Sequence, residues 1–420
     1  MSELQPSLYD DAIGIIQSAL RAAQPDEAVK KALKRFHVPE DGRVIVIAVG
    51  KAAWQMAETA VKELGGAVSG GIVITKYGHC NGAIPKLRIY EAGHPVPDAN
   101  SFAAADAAVE AVKGLNSSDR VLFLVSGGGS ALFERPLIPA SELEDLTNQL
   151  LACGADIVEI NTLRKRLSAV KGGKFALLCA PARVFSIILS DIIGDPLDMI
   201  ASGPAYPDKS TCDQAFAVIR KYGLRVTERQ KALFAQETPK HLDNIDTEIA
   251  GGVSQLCAAA AEKCKELGYE PRILTASLRC TARDAGSFLA SIAQYHSDTE
   301  RPLAFIAGGE TVVELKGRGL GGRNQEIALA AAAGIEGLEN TAVFSIGSDG
   351  TDGPTDAAGG FADSGTAGRL RERDMDLYAY LNDNDAYHAL DAVGGLIKTG
   401  PTGTNVNDLS VVLIKPLAQS

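Results

Sequence analysis

Short, unbroken apolar runs alternate along the chain with longer segments whose apolar residues recur at helical spacing. Such runs are typical of strands that are buried on both faces of a parallel sheet. In the first half, buried strands of this kind are predicted at residues 43–49, 121–125 and 184–189, and two further strands at residues 71–75 and 87–91. Helical patterns lie at residues 7–23, 52–64 and 99–113, and further helices begin at Ser141 and after Asn161. This alternation predicts a Rossmann-like parallel sheet with helices on both faces.

The hydrophobic pattern weakens between residues 221 and 246, where Pro239 stands among charged residues. We therefore predict two domains, residues 1–240 and 241–420. In the second domain, helical patterns lie at residues 252–267 and 324–333, and apolar strand patterns lie at residues 273–275, 303–307, 341–346 and 409–414. Residues 310–316 alternate between polar and apolar, which predicts a half-exposed strand in a hairpin with the preceding one. The second domain is thus expected to be α/β with a mixed sheet.

The stretch RVLFLVSGGGSALFERP, residues 120–136, combines a buried strand with a loop that is rich in glycine. The loop consists of Ser126, Gly127, Gly128, Gly129 and Ser130. Three successive glycines expose backbone N–H groups that a ligand oxygen can approach without obstruction. Loops at the carboxyl ends of parallel strands are where open α/β sheets bind ligands. A plain turn is the alternative, but ordering three glycines is entropically costly, which favours a ligand-binding loop.

Composition and charge exclude several classes of partner. The chain has 420 residues and a formal net charge of -11 at pH 7, with no basic run. An acidic chain of this kind argues against nucleic acid or an anionic membrane as partner. The N-terminus lacks the pattern of a signal peptide, and no apolar run reaches the length of a membrane span. Seven scattered cysteines without a CxxC pair indicate reduced thiols and a cytoplasmic protein. Oligomeric state stays open, with a homodimer as one option.

Other predicted strand ends also carry polar loops. Lys51 lies between a strand and a helix, where a cation opposes the helix dipole unless an anion binds there; a surface lysine is an equally good interpretation. The remaining polar residues of interest are Asp191 at 190–198, Glu310, Arg323, Asn324 and Gln325 at 308–325, Asp349 and Asp352 at 347–356, and Asn405 at 400–408. Turn or N-cap positions are the commoner role of such aspartates. Carboxylates, cations and glycine loops together are typical of Mg²⁺-assisted phosphoryl transfer.

Nucleotide-binding signatures give one weak match. The P-loop motif and the protein-kinase motifs are absent. Residues 317–322, GRGLGG, fit the dinucleotide pattern G-x-G-x-x-G. The segment before it alternates polar and apolar residues, and no βαβ unit begins there. Arg323, directly after the last glycine, is better suited to bidentate contact with phosphate or carboxylate.

Four longer motifs, in this order, are VSGGGSAL, LSDIIGDPLDMIASGP, GGETVVELKGRGLGGRNQE and GSDGTDGPTDAAGG. They resemble the glycerate 2-kinase family, also called the MOFRL or tartrate-operon type, over nearly the whole chain. Members of that family are often labelled hydroxypyruvate reductase through operon context. The resemblance implies ATP- and Mg²⁺-dependent phosphorylation of D-glycerate to 2-phosphoglycerate, and two α/β domains with the active site between them. It also implies that Lys51 and Arg323 are phosphate-transfer residues.

On this basis we expect a kinase whose Ser126–Ser130 loop takes phosphate or carboxylate oxygens of D-glycerate or ATP. Asp191 or a neighbouring carboxylate would orient or deprotonate the 2-hydroxyl, and Asp349 or Asp352 would hold Mg²⁺. Glu310, Asn324, Gln325 and Asn405 are further candidates for substrate or nucleotide binding. The first alternative is an NAD(P)H-dependent hydroxypyruvate reductase. The second is a non-catalytic sensor of small acids, although the sequence shows no output module.

Overall fold

The computed structural model describes residues 7–190 and 197–417, and the chain divides into two compact units. The first unit contains residues 28–190 and 197–250, and the second contains residues 7–27 and 251–417. The first helix, α1 (Leu8–Ala22), therefore belongs to the second unit. The division lies beyond the expected boundary at residue 240, because a strand that the sequence pattern did not reveal, residues 245–251, extends the first unit.

The first unit is built on a parallel sheet of six strands. Its strands are β1 (Val44–Val49), β2 (Val68–Lys76), β3 (Leu87–Ala92), β4 (Arg120–Val125), β5 (Arg183–Leu189) and β6 (Ile245–Gly251). Their order in the sheet is β3-β2-β1-β4-β5-β6. The expected Rossmann-like sheet is thus confirmed. Strand order reverses between β1 and β4, and open α/β sheets bind ligands outside the carboxyl ends of strands at such a point.

Helices of the first unit cover the sheet. They are α2 (Pro25–Leu33), α3 (Ala53–Leu64), α4 (Ala99–Ala111), α5 (Gly129–Leu132), α6 (Ala140–Ala152), α7 (Ile157–Leu167), α8 (Lys174–Cys179), α9 (Cys212–Tyr222) and α10 (Glu228–Phe234). All six residues of β1 are buried, and alternate ones, such as Val46 and Ala48, pack in one core cluster with Met56 and Ala57 of α3. Burial on both faces is why β1 reads as an unbroken apolar run.

The second unit contains a mixed sheet. Its strands are β7 (Glu270–Leu278), β8 (Leu303–Gly309), β9 (Thr341–Gly347), β10 (Gly359–Asp363), β11 (Leu396–Ile397) and β12 (Asp408–Ile414). Their order is β11-β10-β9-β12-β8-β7, in which β7 and β8 are parallel and the other neighbours are antiparallel. The final strand β12 therefore lies in the middle of the sheet, between β9 and β8, and the expected mixed sheet is confirmed.

Two helical layers sandwich the second sheet. Helices of this unit, besides α1, are α11 (Val253–Glu266), α12 (Ala282–Tyr295), α13 (Arg323–Gly334), α14 (Thr366–Arg371), α15 (Leu377–Asn382) and α16 (Ala386–Ala392). One core cluster joins α12 and α13 to strand residues such as Val343 and Val412. The other joins α1 and α11 to the alternate strand residues Phe344 and Val411.

The prediction of a hairpin strand at residues 310–316 is wrong. This segment is irregular in the structure and forms only an isolated bridge between Thr281 and Val312. The alternating pattern does not reflect a sheet face, since Val312 and Leu315 are 60% and 83% exposed. The antiparallel neighbour of β8 is instead β12, from the other end of the unit.

Candidate active-site loops

Two polar loops meet at the point where strand order reverses in the first unit. Lys51 follows β1, and the Ser126–Ser130 loop follows β4, its parallel neighbour. The Lys51 N–H donates to the Gly127 carbonyl at 2.9 Å, and the Ala52 N–H donates to Ser126 Oγ at 3.0 Å. The two loops are thus held together by the backbone, as expected for loops that build one ligand site.

Close approach explains why the loop contains glycine. Gly128 has a φ of +85°, which L side chains rarely adopt, and a Cβ there would lie 3.0 Å from His94 Cδ2 and 3.3 Å from Lys51 Cγ. A Cβ on Gly129 would lie 2.7 Å from the Cβ of Ala201. In the described part of the chain, the N–H groups of Gly127 and Gly128 donate no hydrogen bond. The loop therefore presents free donors to a ligand oxygen.

A group of basic side chains surrounds this loop. Burial lowers the pKa of His94, and the nearby charges of Lys51, Lys76 and His79 lower it further. The exposed Lys51 ammonium has no ion pair with a residue that the structure describes. Because these side chains lie at or just after the ends of β1, β2 and β3, they gather at the carboxyl edge of the sheet and favour an anionic ligand there. The sequence pattern does not single out His94, because it stands among glycine and prolines, in GHPVPD, a composition typical of a turn.

A chain of hydroxyl and amide contacts holds the side chain of Ser130 in place. Its Oγ lies 3.0 Å from Ser202 Oγ, which donates to Asn161 Oδ1 at 2.9 Å. Asp191, the expected base, lies outside the described residues. Asp198, further along the same motif, forms an ion pair with Lys165 at 3.2 Å.

In the second unit, Arg323 begins α13 and is anchored by two carboxylates. Its Nε and Nη2 donate to the two carboxylate oxygens of Asp408 at 2.6 and 3.0 Å, and its Nη1 donates to Glu310 at 3.0 Å. Burial raises the pKa of Asp408 to about 6, against the opposing pull of Arg323. The guanidinium is thus fixed in one orientation with N–H groups to spare, since it carries five. The sequence reasoning did not single out Asp408, which holds Arg323 in this orientation.

A cavity of about 770 Å³ lies beside Arg323 within the second unit, a size typical of small-molecule sites. Its lining includes Glu310, Asp349 and Asp352. The structure therefore brings four of the expected residues of this unit to one cavity. Asn405 is exposed and does not line it.

Asp352 caps α13 from a neighbouring loop. Its carboxylate accepts from the N–H groups of Asn324 at 3.1 Å and Gln325 at 2.8 Å, and from the Asn324 side chain at 3.2 Å. Burial raises the pKa of Asp352, although these donors oppose the shift. Asn324 and Gln325 are themselves buried, and Asn324 also accepts from Ser345 Oγ at 2.6 Å. In this structure the three side chains stabilise the start of the helix, which is also where Arg323 stands.

Asp349 is better placed than Asp352 to take a metal ion. It is partly exposed in the cavity, and only its Oδ1 accepts hydrogen bonds, from the Thr351 N–H and hydroxyl at 2.9 and 3.0 Å. Among residues 7–190 and 197–417, no three His, Cys, Asp or Glu side chains form a group that could hold a metal. Mg²⁺ in kinases is commonly bound by one or two carboxylates, substrate phosphates and water, so a single carboxylate such as Asp349 fits that mode.

Backbone packing accounts for the glycines of the GRGLGG segment. The N–H groups of Gly317, Arg318, Gly319 and Leu320 all donate to the turn at residues 383–385, at 2.8 to 3.0 Å. A Cβ on Gly317 would lie 2.1 Å from the Asp383 carbonyl oxygen. A dinucleotide fingerprint needs free N–H groups for the pyrophosphate. Four of the six N–H groups of this segment already donate to the turn, which disfavours the reductase alternative.

Comparison with known proteins identifies the family. The model described as a domain of unknown function (DUF4147) matches residues 11–235, and the MOFRL family model matches residues 303–408. A D-glycerate 2-kinase from Thermotoga maritima is 51% identical over 414 residues, which are 97% of this chain and 99% of that protein. The chain belongs to the glycerate 2-kinase family.

Other members of the glycerate 2-kinase family agree in length and fold. A glycerate 2-kinase from Pyrococcus horikoshii is 40% identical, over 95% of this chain and 96% of that protein. An Agrobacterium vitis relative, 38% identical over 95% of this chain and 93% of its own, carries hydroxypyruvate reductase as a provisional name. A crystal structure of the Thermotoga maritima glycerate kinase has a TM-score of 0.91 at 51% identity, and covers 97% of this chain and 99% of that one. The resemblance of the four motifs is thus confirmed.

No helix of this family member, within the two described ranges, combines the length and apolar character that crossing a membrane requires.

Proposed function

We propose that this chain phosphorylates D-glycerate at the 2-hydroxyl, with ATP as the phosphate donor, to give 2-phosphoglycerate. The observation that carries the proposal is the pair of loops at Lys51 and Ser126–Ser130, which present free N–H groups among basic side chains at the strand-order reversal. Both substrates are anions. The substrate itself is supported by the high identity to a D-glycerate 2-kinase over nearly the full length of both chains.

Phosphoryl transfer depends mainly on positioning and on stabilising charge. We propose that Lys51 and Arg323 stabilise charge on the transferring phosphoryl group, as the family resemblance implies. The Ser126–Ser130 loop would bind phosphate or carboxylate oxygens, and Asp191 stays our proposed acceptor of the 2-hydroxyl proton. Mg²⁺, held through Asp349, would supply charge neutralisation at the phosphates of ATP.

Three further expectations accompany this proposal. Glu310 and Asn405 stay candidates for substrate or nucleotide contact, whereas Asn324 and Gln325 would act by shaping the start of α13. All seven cysteines are free, which supports a reducing compartment such as the cytoplasm. Assembly as a homodimer stays a prediction that sedimentation can test.

The reaction class can be tested with one purified sample. We expect ATP consumption with D-glycerate and Mg²⁺, with 2-phosphoglycerate rather than 3-phosphoglycerate as the product. We expect no oxidation of NADH or NADPH with hydroxypyruvate, because four of the six GRGLGG N–H groups already donate to the turn at residues 383–385. Robust reductase turnover without ATP turnover would show that the kinase proposal is wrong.

Gly128→Ala is expected to lower kcat/KM by at least about tenfold, because its Cβ meets His94 and Lys51 in a left-handed conformation. Gly154→Ala is the matched control. Gly154 also has a positive φ, +71°, but a Cβ there meets nothing within 4 Å. Both variants should lose roughly 1 kcal/mol of stability from backbone strain, measured by thermal unfolding. Equal activity of the two variants would contradict a ligand-binding role for the loop.

A further inference from the structure

A buried lysine side chain donates a hydrogen bond to the last residue of the glycine loop. Lys171 Nζ donates to the carbonyl oxygens of Ser130 at 2.7 Å and Phe133 at 2.9 Å. Its side chain is fully buried, in the turn between α7 and α8. The Ser130 carbonyl also accepts from Arg164 Nη2 at 3.3 Å. Two cations therefore converge on the carbonyl of the last residue of the Ser126–Ser130 loop.

One buried carboxylate faces both cations. Glu134 is 1% exposed and lies 3.5 Å from Lys171 Nζ and 3.6 Å from Arg164 Nη2. Neither carboxylate oxygen accepts a hydrogen bond from the described residues. A buried charge cluster of this kind is a costly way to stabilise a fold, because desolvation offsets most of the Coulombic gain. Its contact with the proposed ligand loop suggests a different use.

We propose that Lys171 is a positioning residue for the Ser126–Ser130 loop, holding the Ser130 and Phe133 carbonyls so that the free N–H groups of Gly127 and Gly128 stay in place for an anionic group of the substrates. The inference rests on the proposed function in one respect, namely that this loop binds an anion. Lys171 does not touch the substrate in this scheme; its charge acts through the loop.

Titration gives this role a measurable signature. Burial lowers the pKa of Lys171 to about 8, the charge of Arg164 lowers it further, and Glu134 opposes the shift. Above that pH the ammonium loses its proton, and the two carbonyls lose a charged donor. Anion affinity should therefore weaken as pH rises past about 8, with KM rising and kcat changing less.

Lys174 offers a matched control on the same segment. Burial also lowers its pKa to about 8. Its Nζ donates to the carbonyls of Lys165, Arg166 and Ser168, at 2.6 to 3.4 Å, and to none in the loop. A general effect of removing a buried lysine would appear in both Lys171→Met and Lys174→Met, whereas an effect through the loop would appear only in the first.

The experiment measures KM and kcat for D-glycerate and for Mg-ATP between about pH 6 and 10, and the dissociation constant of each ligand separately by calorimetry. We expect Lys171→Met to raise KM about tenfold or more at neutral pH and to abolish the rise of KM above about pH 8 (the alkaline rise). Lys174→Met should keep this alkaline rise of KM. Lys171→Arg should keep a low KM without the alkaline rise, because arginine stays charged. The ligand whose affinity depends on pH and on Lys171 is the substrate that the loop binds.

Glu134→Gln keeps the inference testable if Lys171→Met does not fold. Removing the carboxylate that supports the Lys171 charge should move the alkaline rise to lower pH, while circular dichroism shows a native fold. An alkaline rise that persists in Lys171→Met, or that does not move in Glu134→Gln, overturns the inference even for an active kinase. A protein that binds both ligands with the expected pH dependence but transfers no phosphate would contradict the proposed function instead.

Discussion

Arg323→Ala is expected to lower kcat by about 10²–10³-fold, with a smaller change in the KM for D-glycerate. The reason is that a charge held ready for the transition state contributes mainly to kcat. The structure strengthens this expectation, because Asp408 and Glu310 already fix the guanidinium in one orientation. Steady-state kinetics on folded protein, checked by circular dichroism, measure the effect. Lys51→Ala should behave in the same way.

Conservative variants separate charge from geometry. Arg323→Lys should recover only part of the activity, since an ammonium cannot reproduce two parallel hydrogen bonds to Asp408. Asp408→Asn should also lower kcat, because it weakens the hydrogen bonds that orient the Arg323 guanidinium while the arginine itself is unchanged. Arg318→Ala and Lys62→Ala are the controls: both side chains are exposed, and both variants should keep near-normal kinetics. If Arg323→Ala and Lys51→Ala also kept near-normal kcat, neither residue would be a phosphoryl-binding cation.

Sequence pattern was sufficient for the elements whose environment is uniform. Strands β1 and β12 are buried along their whole length, and residues 44–49 and 409–414 within them are all apolar or small, so both strands are easily predicted. At β7 only residues 273–275 of Glu270–Leu278 were predicted, because this edge strand is exposed and bulged. The pair β10 and β11 was missed, since β10 begins with two glycines after a long loop and β11 has only two residues.

The residues of the candidate site also differ in whether the sequence could predict them. The glycine loop and Lys51 could be predicted because each directly follows a strand in the sequence, and the parallel sheet brings strand ends together. His94 and Asp408 could not, because their roles come from neighbours that are distant in the sequence: Gly128 for His94, and Arg323 for Asp408. The GRGLGG glycines show the converse case. Their pattern suggests a phosphate site, yet the partner of their N–H groups is a turn more than sixty residues away along the chain.

Asp352 and Asp349, three residues apart, give the sharpest test of how the second unit is built. Asp352→Ala is expected to reduce the free energy of unfolding by about 3 kcal/mol, because it leaves the Asn324 and Gln325 N–H groups buried without an acceptor, at about 1–3 kcal/mol each, and removes a helix cap. Thermal and urea unfolding measure the loss. A transition at lower temperature, with kcat retained in the folded fraction, is the expected result.

Asp349→Ala is the matched variant and should behave in the opposite way. Its carboxylate accepts only from Thr351 in a partly exposed turn, so stability should change by less than about 1 kcal/mol. If Asp349 holds Mg²⁺, the Mg²⁺ concentration needed for half-maximal activity should rise about tenfold or more, while Asp352→Ala leaves it unchanged. The two aspartates would then have separate tasks, one in metal binding and one in folding. An Asp352→Ala protein that is as stable as the parent but needs much more Mg²⁺ would contradict the capping role and make Asp352 the metal ligand.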